Sequence, residues 1–308
     1  MSVSRRKFLK SSVTSGAALM LPDLKHLEET KIILPAGFTI KIMATNWGYD
    51  GTIEQFCAKA KQAGYDGIEV GWPTEVTEQK KLSDTLKANQ LSVGFLIGVW
   101  DTDDYETHLK GFEKKLKEAA AAQPLYINCH AGKDHFSYDQ NVAFINLTAK
   151  VGGETKVPIY HETHRGRILY AAPIAKNYFD KIPGLRVTLD ISHWCAVHES
   201  LLSDQTSTVD LTLKRTDHIH ARVGHAEGPQ VNDPRAPEWA KAVETHLGWW
   251  DQVVNNKISS GATVLTFLTE FGPPDYLPTL PYTRLPVANQ WDINIYMLQM
   301  LRKRYMKR

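Results

Sequence analysis

Leu185-Arg-Val-Thr-Leu-Asp-Ile-Ser-His-Trp194 begins as a run of apolar and β-branched residues, then places Asp190 and His193 where that run ends. Such a run reads as a buried strand of a parallel sheet. A carboxylate and an imidazole leaving one strand end can both enter the same pocket. Two further runs end the same way, Val157-Pro-Ile-Tyr-His-Glu162 and Thr263-Val-Leu-Thr-Phe-Leu-Thr-Glu270. A fourth, Asp217-His-Ile-His220-Ala-Arg222, carries its polar groups inside the run. Glu, Asp, His and Glu at successive strand ends make a hard, oxygen-rich cation site. A single Glu in such a place can simply cap the next helix; the four together favour a metal.

Outward from this core, short β-like runs alternate with helical patterns. Strands are expected at Phe38–Ala44, Gly67–Val70, Leu91–Ile97, Leu125–His130, Val157–His161, Leu185–Leu189, His218–Val223 and Thr263–Thr269. Amphipathic spacing predicts helices at Thr52–Ala63, Glu78–Asn89, Tyr105–Ala122, Asn141–Val151, Pro173–Ile182, Trp239–Asn256 and Ala288–Arg304, with a weak segment around Leu201–Leu213. Strict β–α alternation means a parallel sheet. Eight such units in a chain of 308 residues favour a closed (β/α)8 TIM barrel over an open sheet. The barrel is expected as a single α/β domain from residue 31 to residue 308. No G-x-G-x-x-G follows the first strand and no P-loop is present, which disfavours a doubly wound nucleotide-binding fold. In barrels the chemistry sits at the C-terminal strand ends, where these acids and histidines fall.

Lysine and arginine number 36 against 34 for aspartate and glutamate, so the whole chain has no electrostatic footprint for nucleic acid. The basic stretch Arg302-Lys-Arg-Tyr-Met-Lys-Arg308 reads as a solvated helix end. Cys57, Cys129 and Cys195 lack C-x-x-C spacing and cannot all pair; they are expected as buried small hydrophobes. At the N-terminus, Ser4-Arg-Arg-Lys-Phe-Leu-Lys10 precedes the weakly apolar Ser11–Leu21. Paired arginines, Phe-Leu and an apolar run in that order resemble the bacterial twin-arginine export signal, which implies periplasmic delivery. The apolar run is far short of the ~20 residues a membrane span needs. Residues 1–30 are therefore set apart from the fold.

Gly64-x-Asp66-Gly67-Ile-Glu69, Glu162-Thr-His164-Arg165, Asp190-x-x-His193, His218-x-His220 and Glu270-Phe-Gly272 together resemble the xylose isomerase-like TIM barrels of the sugar phosphate isomerase/epimerase superfamily. The resemblance runs from Lys31 to the end. It implies that Glu162, Asp190, His220 and Glu270 bind one divalent metal. Manganese is the first choice, with magnesium, cobalt or zinc as alternatives. It also implies that His193 and Arg222 contact substrate.

The residues taken by themselves agree. Three carboxylates and one imidazole are unlike the Cys/His sets of structural zinc. A metal chelating a carbonyl and a neighbouring hydroxyl acidifies the C–H between them. Glu162 and Glu270 are the candidate catalytic pair, one removing a proton and the other returning it. Isomerisation or epimerisation of a free sugar or sugar derivative is therefore the leading reaction. Elimination from a keto-sugar or keto-glycoside would use the same pair, and a non-catalytic carbohydrate-binding barrel is the rival outside enzymes. His193 is expected to stabilise a developing oxyanion, and Arg222 and Arg235 to orient a hydroxyl or carboxylate.

The pocket wall has further candidates. They are His130 after the fourth strand and Trp47, Trp72 and Trp100 after the first three, the tryptophans as a stacking face. His161 and His218 are expected to turn away from the lumen as packed histidines. His164 and Arg165 are expected to form salt bridges among loops, and the stretch His225–Arg235 to roof the pocket. A metal-dependent endonuclease of the same superfamily would need more histidines on the early strands and an Asp-x-His in the seventh loop. That loop reads Asp233-Pro-Arg235, and a guanidinium cannot ligate a metal.

Overall fold

The computed structural model describes residues 30–307, so the paired arginines and the segment after them lie outside the described residues. The described chain opens with β1 (Ile32–Leu34). Eight parallel strands then close into a barrel in sequence order: β2 (Thr39–Thr45), β3 (Gly67–Gly71), β4 (Ser92–Gly98), β5 (Tyr126–His130), β6 (Ile159–Glu162), β7 (Val187–Leu189), β8 (Thr216–His220) and β9 (Val264–Thr269). Closure is made by β2 against β9, in register from Thr39 with Val264 to Ala44 with Thr269. The connections carry α1 (Ile53–Ala63), α2 (Val76–Asn89), α3 (Tyr105–Ala121), α4 (Tyr138–Thr155), α5 (Ala172–Lys181), α6 (Ile191–Val197), α7 (Thr206–Arg215) and α8 (Ala240–Ser259), and α9 (Gln290–Arg304) leads into β10 (Tyr305–Lys307). This is the (β/α)8 barrel that the alternation implies.

Local chemistry explains the punctuation. Thr52 and Gln55 form a reciprocal cap at the start of α1, and Ser137 and Gln140 do the same for α4. Helix α1 stops at Gly64, whose φ of 90° is open to glycine at little cost. Two residues on, the Asp66 carboxylate accepts from the Ile42 amide at 2.7 Å and from Arg302 at 2.6 Å. A side chain on Gly67 would run into the Ser92 carbonyl of the neighbouring strand. The Gly-Tyr-Asp-Gly connection thus packs α1 tightly onto the sheet.

Three expectations are corrected here. The basic end is not a solvated helix terminus: Arg302 pairs with Asp66, Arg304 donates to Asp251 at 2.6 and 2.8 Å, and β10 pairs in parallel with β1. Strand β8 ends at His220, which puts Arg222 beyond the strand and over the barrel mouth. Strand β7 starts at Val187 rather than Leu185 and keeps its expected end at Leu189, where the Asp190 side chain accepts from the Ser192 amide at 3.2 Å and starts α6 at once. The weak segment around Leu201–Leu213 settles as α7. Cys57, Cys129 and Cys195 are buried and free, as expected. Among the described residues, no helix is long and apolar enough to cross a membrane.

Candidate active site

Strand parity decides which side chains enter the lumen, because residues two apart share a face and adjacent residues do not. His161 follows the rule as expected: it faces away from its inward neighbour Glu162 and meets the Thr148 hydroxyl of α4 at 2.8 Å. His218 does not turn away. It lies two residues before His220, so both point inward, with His218 Nε2 at 3.2 Å and His220 Nε2 at 3.4 Å from the Glu69 carboxylate of β3. The ring of Tyr126 lies against His218 with centroids 4.2 Å apart.

Above this layer the four expected ligands converge. Donor atoms of Glu162, Asp190 and His220 all lie within 4.8 Å of one another. Glu270 Oε2 is 2.8 Å from His220 Nδ1, and Glu162 Oε2 is 3.7 Å from the same nitrogen. His220 therefore turns Nδ1 toward the two glutamates and Nε2 toward Glu69.

The residues present fit a divalent cation. Glu162 Oε1, His220 Nδ1 and Glu270 Oε2 are all buried and none makes a well-directed hydrogen bond, the 2.8 Å approach of the last two included. Leaving such atoms unsatisfied is costly unless something binds them. Ligands set at right angles around an ion with bonds of about 2.2 Å stand about 3 Å apart, near the spacing of Glu270 and His220. The buried carboxylates of Glu69, Glu162, Asp190 and Glu270 also outnumber the one buried guanidinium beside them, Arg222. The donor set is oxygen-rich, which suits manganese or magnesium better than a thiolate-seeking ion.

The electrostatics follow from that crowding. Burial alone would depress the His220 imidazole, but Glu270, Glu162 and Glu69 override it and hold the group well above its ordinary range. Burial pushes the Glu162 carboxyl up, and the imidazoles of His130 and His220 win, holding it well below. Burial raises Asp190 to about 7, with Arg222 opposing. A bound cation would take the place of the His220 proton.

Around these four side chains sits a second ring of polar groups. Asn128 donates to Glu162 Oε2 at 2.6 Å, and His130 Nε2 lies 2.8 Å from the same oxygen. Arg222 is only 2% exposed; it donates to Asp190 and to His193 Nε2 (2.8 Å), and stands 3.6 Å from Glu270. The His193 ring lies tilted against His164 with centroids 3.8 Å apart, and His164 lies tilted against His130 at 4.5 Å. His164 is thus part of the wall and not of a loop ion pair, which corrects the expectation. Burial first, then the neighbouring His130, keeps His164 well below its ordinary range; burial, His164 and Arg222 do the same for His193.

A cavity of about 350 Å³ opens over this centre, with Trp47, Trp100, His130, His164, Arg222, Glu270 and Tyr276 in its wall. That is at the lower end of small-molecule sites, the size of one sugar ring rather than a polymer groove. Trp47 and Trp100 take the expected places. A side chain on Gly272 would collide with the Trp47 ring, so the glycine after Glu270-Phe271 is what admits it. Trp72 does not face the cavity: it packs edge-on against Phe95 at 4.9 Å. Nor does Arg235 reach it. Its guanidinium is chelated by Asp233 two residues earlier, at 2.6 and 2.8 Å, and faces Tyr296 at 5.7 Å.

Three residues of the site carried no role in the sequence. Glu69 and Asn128 each leave a signal, a polar side chain inside an otherwise apolar strand. Tyr276 leaves none; it comes from the loop after β9 and stands 4.8 Å from the Arg222 guanidinium.

The model of the family described as xylose isomerase-like TIM barrel matches residues 57–236, more than half of the chain. No curated protein matches it. Among solved structures, D-allulose 3-epimerase from Methylomonas sp. in complex with D-allulose superposes with a TM-score of 0.58 at 15% identity, covering 89% of this chain and 100% of the other. The 3-keto-D-glucoside 4-epimerase of E. coli gives 0.54 at 15%, covering 86% and 99%. The probable 3-DHS dehydratase of Bacillus anthracis, involved in petrobactin synthesis, gives 0.54 at 14%, covering 85% and 98%. At such identities the likeness is one of fold.

Proposed function

We infer that this chain, which belongs to the xylose isomerase-like TIM barrel family, is a divalent-metal-dependent isomerase or epimerase that moves a proton beside a sugar carbonyl. One observation carries the reading: Glu270 and Glu162, from strand ends with β7 and β8 between them, stand 2.8 and 3.7 Å from one inward imidazole nitrogen below a ring-sized cavity. Carboxylates from two separate strand ends give a proton relay its two bases. Two solved structures with the same barrel are named as sugar epimerases, which agrees.

Glu162, Asp190, His220 and Glu270 would hold the cation, with manganese the first choice for this oxygen-rich set. When bound, the metal supplies a Lewis acid that polarises a carbonyl and its neighbouring hydroxyl and acidifies the C–H between them. Glu270 lines the cavity and removes the proton from one face. Glu162, held by Asn128 and His130, returns it on the other. Arg222, in the cavity wall, offers hydrogen bonds to the oxygen that gains charge, and the buried neutral His193 accepts from the guanidinium and holds it in place rather than reaching the cavity itself. Trp47 and Trp100 seat the ring and keep water from its faces.

The twin-arginine pattern of residues 4–21 supports delivery to the periplasm, and with it a free sugar rather than a sugar phosphate. The test is solvent-deuterium incorporation at the carbon beside the carbonyl, with the manganese-loaded chain and a panel of keto-sugars. Exchange with return to sugar supports isomerisation or epimerisation. Exchange with an unsaturated product makes the same pair an eliminating one. No exchange on any sugar that binds would leave a carbohydrate-binding barrel.

A further inference from the structure

Beside the catalytic cavity lies a second of about 350 Å³, and Thr45 and Trp47 line both. Its wall is aromatic: Tyr49 meets Phe56 with centroids 5.3 Å apart, and Phe56 meets Trp291 at 6.5 Å. Lys59 bridges the rings, its ammonium 4.1 Å from the Trp291 centroid and 5.4 Å from that of Tyr49. No carboxylate is paired with that ammonium among the described residues, so its N–H groups are available to a hydroxyl. Flat apolar faces beside a few polar donors match a pyranose ring, which is apolar on its C–H faces and polar around its edge.

Continuity with the catalytic cavity decides the occupant. Trp47 is 37% exposed and stands as the partition between the two spaces, backed by Gly272 on the side that a Cβ would fill. Each space holds about one ring, and a molecule passing over the edge of Trp47 occupies both. We propose that the second cavity is a subsite for a second sugar ring, and that the substrate is a glycoside or disaccharide whose reacting ring lies over the metal centre. This rests on the proton-transfer reading given above, and extends it to the substrate class.

The test compares glucose with cellobiose, maltose and laminaribiose, and their 3-keto forms, on the manganese-loaded full chain. Binding is followed by calorimetry and proton exchange by NMR. At least one disaccharide should bind about tenfold more tightly than glucose, a gain that corresponds to an additional ring contact. Trp291→Ala should abolish that gain while leaving glucose affinity within about twofold. Because Trp291 also packs on Phe56 and Tyr65, Lys59→Ala is the second variant. It sits at the half-buried rim and should trim the gain about threefold. Disaccharides that bind no better than glucose, in the parent and in both variants, overturn the subsite; exchange on the monosaccharides would then leave the proposed function standing. Absence of both binding and exchange for every sugar overturns the two together.

Discussion

Glu270→Gln preserves shape and one oxygen but removes a charge and a base, so it separates catalysis from metal binding. In the structure the carboxylate stands 2.8 Å from His220 and 3.6 Å from Arg222. At an effective dielectric constant of about 20, such charge pairs have gross attractions of about 4–6 kcal/mol, much of it offset by desolvation. Neutralising Glu270 therefore weakens the cation site as well, and the kinetics must be read at saturating manganese. There the loss of a general base should slow deuterium exchange by about 10²–10⁴-fold, or roughly 3–5 kcal/mol in the barrier. Glu162→Gln should behave alike, and the double variant should lose little more, since the pair acts as one relay. The assay is NMR of the keto-sugar in D2O, with metal content measured on the same sample. Exchange within about threefold of the parent, or a loss fully recovered by added manganese, would refute the reasoning and leave Glu270 as a ligand only.

Other outcomes follow from the same structure. Glu69→Gln should raise the manganese dissociation constant about tenfold without changing the fold, because it removes the charge that orients His220 from behind; chelator competition reads this, and an unchanged constant counts against the role. His161 and His246 are both lowered to about 4 by burial, well under the ordinary 6.5. The unfolded chain then binds more protons than the folded one between those values, so stability is full above pH 6.5 and falls as pH drops toward 4, by at most about 3 kcal/mol per residue. Denaturant unfolding across that window should show the slope, and His246→Gln should flatten part of it; a parent curve flat from pH 7 to 4 would contradict the burial argument. Arg5→Lys with Arg6→Lys should hold a tagged chain in the cytoplasm, and unchanged periplasmic delivery would end the export proposal.

Much of the barrel was legible in the residues because its signals are local. Alternation of β-branched runs with amphipathic stretches, closed by caps such as Thr52 with Gln55, depends on neighbours a few positions away. The convergence of Glu162, Asp190, His220 and Glu270 was legible for the same reason: a polar residue at the end of an apolar strand has few places to go but the barrel mouth. Parity was legible as well, and applied strictly it puts His218 beside His220 in the lumen. What only the closed barrel decided is which inward groups meet. Glu69 and His218 come from strands far apart in sequence, and the stagger of the whole sheet sets one opposite the other. Long flexible side chains were likewise undetermined. Arg235 had a carboxylate two residues away and folded back on it, while Arg222, just beyond β8, found Asp190 and was buried. Strand period fixes the direction of a Cβ within a few residues, whereas the partner of a guanidinium depends on whichever carboxylate the assembled surface brings within reach.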